Sequence, residues 1–154
     1  MKDEHFVATR RPWASFGPMV AQIAWKRGSY EAPRQAFVGD GADTVWTAWW
    51  NRFSSFVPIL DIIHAISYLF EGALAGLPFA EGWPCYVRWV TWVWKGEEGV
   101  IAELAKRQAE LGAAQEGDGE THPRVVVGTA LRYLQDNKRT RRVDSNVAPR
   151  SAAL

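Results

Sequence analysis

Apolar residues recur at helical spacing in six segments of the chain and form short continuous runs in two others. The helical segments are residues 16–27, 42–53, 61–70, 83–94, 97–111 and 123–134, and the continuous runs are residues 35–39 and 56–60. Spacing of i, i+3 and i+4 is typical of one buried helix face, whereas a short apolar run between turn signals indicates a buried strand. The pattern therefore predicts six helices and two strands.

The two predicted strands enclose one helix and are followed by another, in the order β-α-β-α over residues 35–76. Two strands joined by a packed crossover helix are usually parallel, and the crossover is almost always right-handed. Pro58 lies within the second run and lacks a backbone donor, which puts it near an edge or a ladder end. We predict a parallel α/β unit in this part of the chain.

Beyond Pro84 the pattern predicts helices only. The segment WPCYVRWVTWVW, residues 83–94, is apolar on nearly every side, which requires burial all round or a partner on one face. After Asn137 the periodicity disappears, and a disordered tail is expected. The chain thus divides into an α/β core at residues 1–77, a helical region at 78–137 and a basic tail at 138–154.

The composition is that of a folded protein with an excess of tryptophan. Its 154 residues are 47% hydrophobic and 23% charged, which suits one domain or part of a larger one. Nine tryptophans exceed what the surface of a free monomer carries, so several should fill a core or an interface. Self-association through the tryptophan-rich helix at residues 83–94 is one such use.

Charge and cysteine content indicate which partners and which cellular compartment suit the chain. A net charge of +1 gives no global attraction to nucleic acid or membrane, although six bases lie between Arg132 and Arg150. Cys85 is the lone cysteine, which excludes an internal disulfide and suits a reducing cytoplasm. Asp61, His64 and Glu71 interrupt the longest apolar zone, so no membrane partner is expected.

Asp40 follows the first predicted strand within Gly-Asp-Gly. Ligands and metals gather at the carboxyl ends of strands in open α/β sheets, and a carboxylate fixed there is a good ligand for Mg²⁺. The simpler interpretation is a turn in which the aspartate accepts a hydrogen bond from its own backbone. Local sequence alone favours the turn.

Asp61 follows the second predicted strand, three residues before His64. On the first turn of a helix these side chains project to one side, so the pair could reach a site shared with Asp40. The alternative is helix capping by Asp61, with His64 as an ordinary helix residue. Taken alone, the pair favours capping.

Other chemistries are less well supported. The histidines and Cys85 lack the paired spacings of a zinc site, and the glycines match neither the dinucleotide nor the Walker pattern. The tryptophans of residues 83–94 could stack on bases, but packing is the more common use. Four basic residues near the carboxyl end could bind phosphates without reading the DNA sequence, or they could simply be solvated. Those bases are Lys138, Arg139, Arg141 and Arg142.

Four segments together carry a resemblance to a known family. They are AFVGDGADTVW, FVPILDIIHAISYLFEGALAG, GWPCYVRWVTWVWKGE and HPRVVVGTALRYLQDNK. The combination resembles the catalytic region of bacterial insertion-sequence transposases of the ISKra type, distant relatives of the Mutator-like transposases. It covers roughly residues 6–139, and D-G-A-x-x-x-W followed by I-L-D-x-x-H is its specific part.

The resemblance implies a partial ribonuclease H-like fold, with an Asp-Asp-Glu metal site and a helical insertion at residues 78–137. Asp40 matches the second catalytic aspartate of the family, and Asp61 and His64 match a C/D-x-x-H signature beside the site. In such enzymes two Mg²⁺ ions activate water or a 3′-hydroxyl for attack on a DNA phosphodiester. The implied partner is DNA, at the terminal repeats of a mobile element.

The chain departs from the family pattern at both ends. The first catalytic aspartate and the final glutamate have no counterpart here, and the similarity stops near Arg139, as after a change of reading frame. Two Mg²⁺ ions about 3.5–4 Å apart need more carboxylates than Asp40 and Asp61 supply. We therefore expect a transposase fragment that does not cut DNA by itself.

Two other interpretations remain. A non-enzymatic remnant would bind DNA or intact transposase and regulate transposition. An unrelated small α/β domain would be favoured if the strands failed to form a parallel β-α-β unit with Asp40 and Asp61 at one end of the sheet.

Overall fold

The protein is a mixed α/β chain in which helices predominate. Its computed structural model describes residues 7–10 and 12–142, and for residue 13 and residues 139–142 it describes the backbone alone. This part contains six α-helices and one two-stranded parallel sheet. The chain divides into two compact units, Met1–Leu60 and Asp61–Leu154.

The first unit contains both strands. Its elements are α1 (Trp13–Lys26), a short 3₁₀ helix (Ser29–Glu31), β1 (Ala36–Gly39), α2 (Asp43–Arg52) and β2 (Val57–Leu60). The strands pair in parallel from Ala36↔Val57 to Gly39↔Leu60, with α2 as the crossover connection. The predicted parallel β-α-β unit is thus confirmed.

An aromatic core holds this unit together. Trp49, Phe53 and Phe56 are buried, and Tyr30 and Phe37 pack against them. The rings of Tyr30 and Phe53 stack with centroids 5.7 Å apart, and Phe56 meets Phe53 edge-on at 5.3 Å. The indole nitrogen of Trp49 donates to the Phe56 carbonyl at 2.9 Å, so the buried polar atom is satisfied.

The two faces of the sheet differ in burial. One face carries Phe37 and Gly39 and packs against α2, where a Cβ on Gly39 would fall 2.7 Å from Val45 Cγ1. The opposite face carries Val38, Val57 and Ile59, which are 62%, 58% and 45% exposed. Because parallel sheets are usually covered on both faces, this exposed apolar face is unusual.

The second unit is entirely helical in its described part. It consists of α3 (Ile62–Leu74), α4 (Phe79–Lys95), α5 (Gly99–Leu111) and α6 (Pro123–Arg142). Its core contains Leu69, Trp89, Leu104 and Val127, each at most 1% exposed. A fully buried side chain of this size stabilises the fold by about 1.5–3 kcal/mol, so these contacts account for much of the packing energy.

Glu103 links α5 to α4 through two hydrogen bonds. Its carboxylate accepts from the indole nitrogen of buried Trp89 at 2.6 Å and from Arg88 at 2.7 Å. Burial raises the pKa of Glu103, but the two hydrogen bonds and the positive charges of Arg88 and Lys106 together lower it, and the net direction is downward. The tryptophan therefore lies in the core with its one polar atom paired.

Two boundaries differ from the sequence prediction. Helix α6 continues to Arg142, so the predicted disordered tail does not begin at residue 138. Buried Leu134 and Asn137, and an ion pair from Lys138 to Glu98 at 2.6 Å, extend the packed part of this helix.

The unit boundary falls after Leu60 rather than near residue 77, because α3 packs against α4 and α6. Residues 143–154 of the predicted tail lie outside the described residues.

Within residues 7–10 and 12–142, no helix combines enough length with enough apolar character to cross a membrane.

Candidate functional site

Asp40 directly follows β1, in the loop that leads to α2. Its carboxylate oxygen Oδ1 accepts a hydrogen bond from the Ala42 amide at 3.0 Å, and Gly41 between them adopts a positive φ of 96°. The hydrogen-bonded turn expected from Gly-Asp-Gly is therefore present. This turn holds the half-buried carboxylate at the carboxyl end of the strand.

A groove opens beside Asp40 within the first unit. It has a volume of about 460 Å³ and is lined by parts of α1, β1 and α2. Phe16, Phe37 and Val45 contribute apolar walls, and Asp40 is the one acidic residue among the lining side chains. The turn and the groove together present a carboxylate at the rim of an accessible apolar cleft, which is the usual location of a ligand site in an α/β sheet.

Asp61 directly follows β2 and caps the next helix. Its Oδ1 accepts from the Ile63 amide at 2.9 Å, and its Oδ2 lies 3.0 Å from Nδ1 of His64. The predicted Asp61–His64 pair is therefore present. The helix cap, which was the alternative interpretation, is formed by the same carboxylate. The imidazole is 53% exposed and the carboxylate 32% exposed, so both groups are accessible.

The local partners of Asp61 favour its ionised form. The hydrogen bond from His64 lowers the pKa of Asp61 most, followed by the hydrogen bond from the Ile63 amide. A carboxylate that stays ionised is suited to orient an imidazole or to bind a cation. It is less suited to act as a general acid near neutral pH.

The predicted site residues fall in both units of the chain. Asp40 belongs to the first unit, whereas Asp61 and His64 belong to the second. Within the described residues, no group of three or more His, Cys, Asp or Glu side chains is arranged to hold a metal ion. Asp40 has the ligand type that Mg²⁺ requires.

The predicted phosphate-binding residues are only partly described. Lys138 donates to Glu98 Oε2 at 2.6 Å, which links α6 to the residue before α5. The side chains of Arg139, Arg141 and Arg142 lie outside the described residues, although their backbone continues α6. Their binding to DNA stays a prediction.

Cys85 has the surroundings of a structural thiol. It is half-buried on α4, and burial raises the pKa of the thiol. Since the thiolate is the nucleophilic form, a raised pKa disfavours covalent chemistry at this cysteine.

Sequence reasoning missed two polar clusters that depend on tertiary contacts. Arg107 donates from Nη1 to the carbonyls of Gly72 and Ala73, both at 2.9 Å, and from Nη2 to the carbonyl of Ala75. In the loop before α6, Asp118 lies 3.5 Å from Arg124 and 3.6 Å from His122. The spacing of His122 four residues after Asp118 was visible in the sequence, but the partners of Arg107 were not.

The chain was compared with known proteins at the levels of sequence and fold. No protein-family model, no curated protein and no solved structure matches it.

Proposed function

We propose that this chain contributes part of the catalytic region of an insertion-sequence transposase. Its role in the intact enzyme is metal-dependent cleavage and transfer of DNA strands at the ends of a mobile element. The observation that carries the proposal is the position of Asp40 at the carboxyl end of β1, in a parallel β-α-β unit and at the rim of an accessible groove. Such a position suits a catalytic carboxylate in an α/β sheet.

The sequence motifs agree with that position. Asp40 begins the D-G-A-x-x-x-W motif, and Asp61 and His64 end the I-L-D-x-x-H motif. In the proposal Asp40 is one ligand of the Mg²⁺ centre, and Asp61 orients His64 through their 3.0 Å contact. Bound Mg²⁺ would supply an activated oxygen nucleophile and neutralise charge on the phosphodiester.

The exposed face of the sheet supports a larger α/β assembly. Val38, Val57 and Ile59 leave apolar surface uncovered on a parallel sheet, and such surface is normally packed against helices. A ribonuclease H-like core, in which this sheet is joined by further elements, would cover that face. The additional carboxylates of the metal centre would come from those elements.

Sequencing the DNA on both sides of the coding region tests this proposal. We expect translation in all frames to give a strand ending in aspartate upstream and a helix bearing glutamate downstream, enclosed by terminal inverted repeats. Flanking DNA that encodes unrelated proteins on both sides, without those segments or repeats, would contradict it.

A further inference from the structure

The two strands of the sheet differ in the backbone groups that they present on their outer edges. Within the described residues β1 pairs only with β2, so each strand has one outer edge. The amide of Val57 donates to the carbonyl of Gln35 at 3.0 Å. In a parallel ladder, residues whose backbone groups face the partner strand alternate with residues whose groups face away. The backbones of Val57 and Ile59 therefore face β1, and the backbone of Pro58 faces outward.

Pro58 closes the outer edge of β2. Proline has no backbone N–H, so its outward position cannot donate a hydrogen bond to an added strand. No hydrogen bond to β1 is lost in this arrangement, which explains how the ladder accommodates a proline in the middle of a strand. Natural sheets use edge prolines to prevent pairing with further strands. The edge of β2 is therefore a poor acceptor for another strand.

The outer edge of β1 keeps its full set of donors and acceptors. By the same alternation, Ala36 and Val38 each present an amide and a carbonyl on the side away from β2. Both residues are exposed, and within residues 7–10 and 12–142 neither makes a backbone hydrogen bond outside the ladder. The two amides are about 6.6 Å apart, which is the spacing that an extended backbone repeats every second residue. A β-strand is therefore the complementary partner of this edge.

The groove beside Asp40 adjoins the same edge. It is lined by residues 37–40 of β1, by Phe16 and Val20 of α1 and by Val45 of α2. Among the described residues that line it, none belongs to β2, so the groove lies on the outer side of β1. A strand added there would direct alternate side chains toward these apolar walls. An unpaired edge beside a pocket for alternate side chains is the arrangement that recognises peptides by strand addition.

We propose that the outer edge of β1 is a strand-acceptor site, to which an extended apolar segment of another polypeptide chain adds by backbone pairing. The backbone groups of Ala36 and Val38 supply the hydrogen bonds, and the groove holds side chains from one face of the added strand. The other face continues the exposed apolar surface of Val38 and Val57, so uncharged residues are expected there too. This role is separate from the proposed metal centre, because it uses backbone atoms of β1 and not the Asp40 carboxylate.

A single extended segment suits this site better than a second copy of the chain. Helix α1 lines the groove through Phe16 and Val20. Two copies paired through their β1 edges would therefore bring two α1 helices, each about 10–12 Å across with side chains, to one shared edge. An extended segment brings no helix with it. The groove volume of about 460 Å³ is in the range of sites that enclose a small ligand or a few side chains.

Site-resolved amide hydrogen exchange of the full chain tests the proposal. The probe is the acetylated and amidated synthetic peptide KTVIVTK, whose central residues are uncharged and favour extended structure. At millimolar peptide we expect exchange of the Ala36 and Val38 amides to slow at least tenfold. The outward amide of Leu60, on the edge closed by proline, should be unchanged. The same peptide N-methylated at its three central residues keeps the side chains but lacks the donors, and it should give no protection.

Variants of the edge provide the second measurement. Val38→Pro removes one outward amide, as Pro58 does in β2, and should abolish protection of the Ala36 amide by the peptide. Val38→Lys retains the amide but places a charge on the edge, and should weaken peptide binding at least tenfold even if the proline variant does not fold. Val57→Lys is its matched control, because Val57 lies on the same exposed face but on β2, and should change binding less than twofold.

Three results would overturn the proposal. The first is unchanged exchange at Ala36 and Val38 with millimolar peptide. The second is equal protection by the N-methylated peptide, which would mean that side chains bind without backbone pairing. The third is protection of both amides in the absence of peptide that disappears on dilution, since the edge would then be occupied by a second copy of the chain.

Discussion

At the residue scale, Asp61 combines a helix cap with a contact to an imidazole. One oxygen accepts from the Ile63 amide and the other contacts His64. Either interaction could be predicted from the sequence, because the cap and the i, i+3 pair depend on neighbouring residues only. The sequence posed them as alternatives, whereas two carboxylate oxygens allow both at once.

We predict that ionisation of Asp61 stabilises the folded chain in a pH-dependent way. Its pKa is lowered in the folded state, mainly by the hydrogen bond from His64. The stabilisation is therefore present above the unfolded pKa of about 3.9 and is lost as pH falls through the folded value. Urea unfolding should show Asp61→Asn less stable than wild type at pH 7, with a difference that shrinks below pH 4.

Asn at position 61 retains the capping oxygen, so the comparison isolates the charge. Asp136→Asn, at an exposed position in α6, is the control, and we expect it to leave the stability profile nearly unchanged. An Asp61→Asn effect of equal size at pH 7 and at pH 2 would contradict the ionic origin of the stabilisation.

At Asp40 the turn could be predicted from the sequence, but the groove beside it could not. Its turn follows from Gly-Asp-Gly, since Asx turns are local structures. The groove beside it depends on how α1, β1 and α2 pack, and no local pattern specifies that packing. The accessible cleft was therefore found only in the structure.

At the element scale, the positions of helices and strands follow closely from the hydrophobic pattern. The two strands begin one residue later than predicted and end where predicted. The pattern succeeds here because each element buries a single face or a short continuous run. It places the start of α4 too late, because the periodic apolar pattern was recognised from residue 83 whereas the helix begins at Phe79.

Arg107 is an element-scale feature that the sequence does not reveal. Its guanidinium binds three carbonyls at the end of α3, which otherwise lack helical partners. We predict that Arg107→Lys lowers the free energy of unfolding by about 1–3 kcal/mol, because an ammonium cannot span the same carbonyls. Chemical denaturation measures the change, and amide exchange should increase in the last turn of α3.

Lys106→Ala is the control for Arg107→Lys. Lys106 is adjacent in the chain, and its side chain is 78% exposed. We expect this change to alter stability by less than about 0.5 kcal/mol. Equal destabilisation by the two variants would mean that the carbonyl contacts of Arg107 contribute little.

At the scale of the whole molecule, each of the two units leaves apolar surface exposed to solvent. In the first unit this surface is one face of the sheet, and in the second it is the side of α4 that carries Trp83, Val87 and Trp94. In the proposed transposase core, neighbouring elements would cover the sheet face. Only the structure distinguishes the exposed side of α4 from the buried one.

The central proposal is that Asp40 belongs to the metal centre of a transposase. DNA strand cleavage by a reconstituted polypeptide tests it most directly. This chain, joined to the segments encoded on either side of it, would be incubated with Mg²⁺ and DNA carrying the terminal repeats. We predict cleavage that Asp40→Asn reduces at least a hundredfold and that Asp43→Asn, three residues away in the first turn of α2, leaves within twofold. We also predict no cleavage by the 154-residue chain alone. Cleavage that survives Asp40→Asn would contradict the assignment of Asp40 to the metal centre.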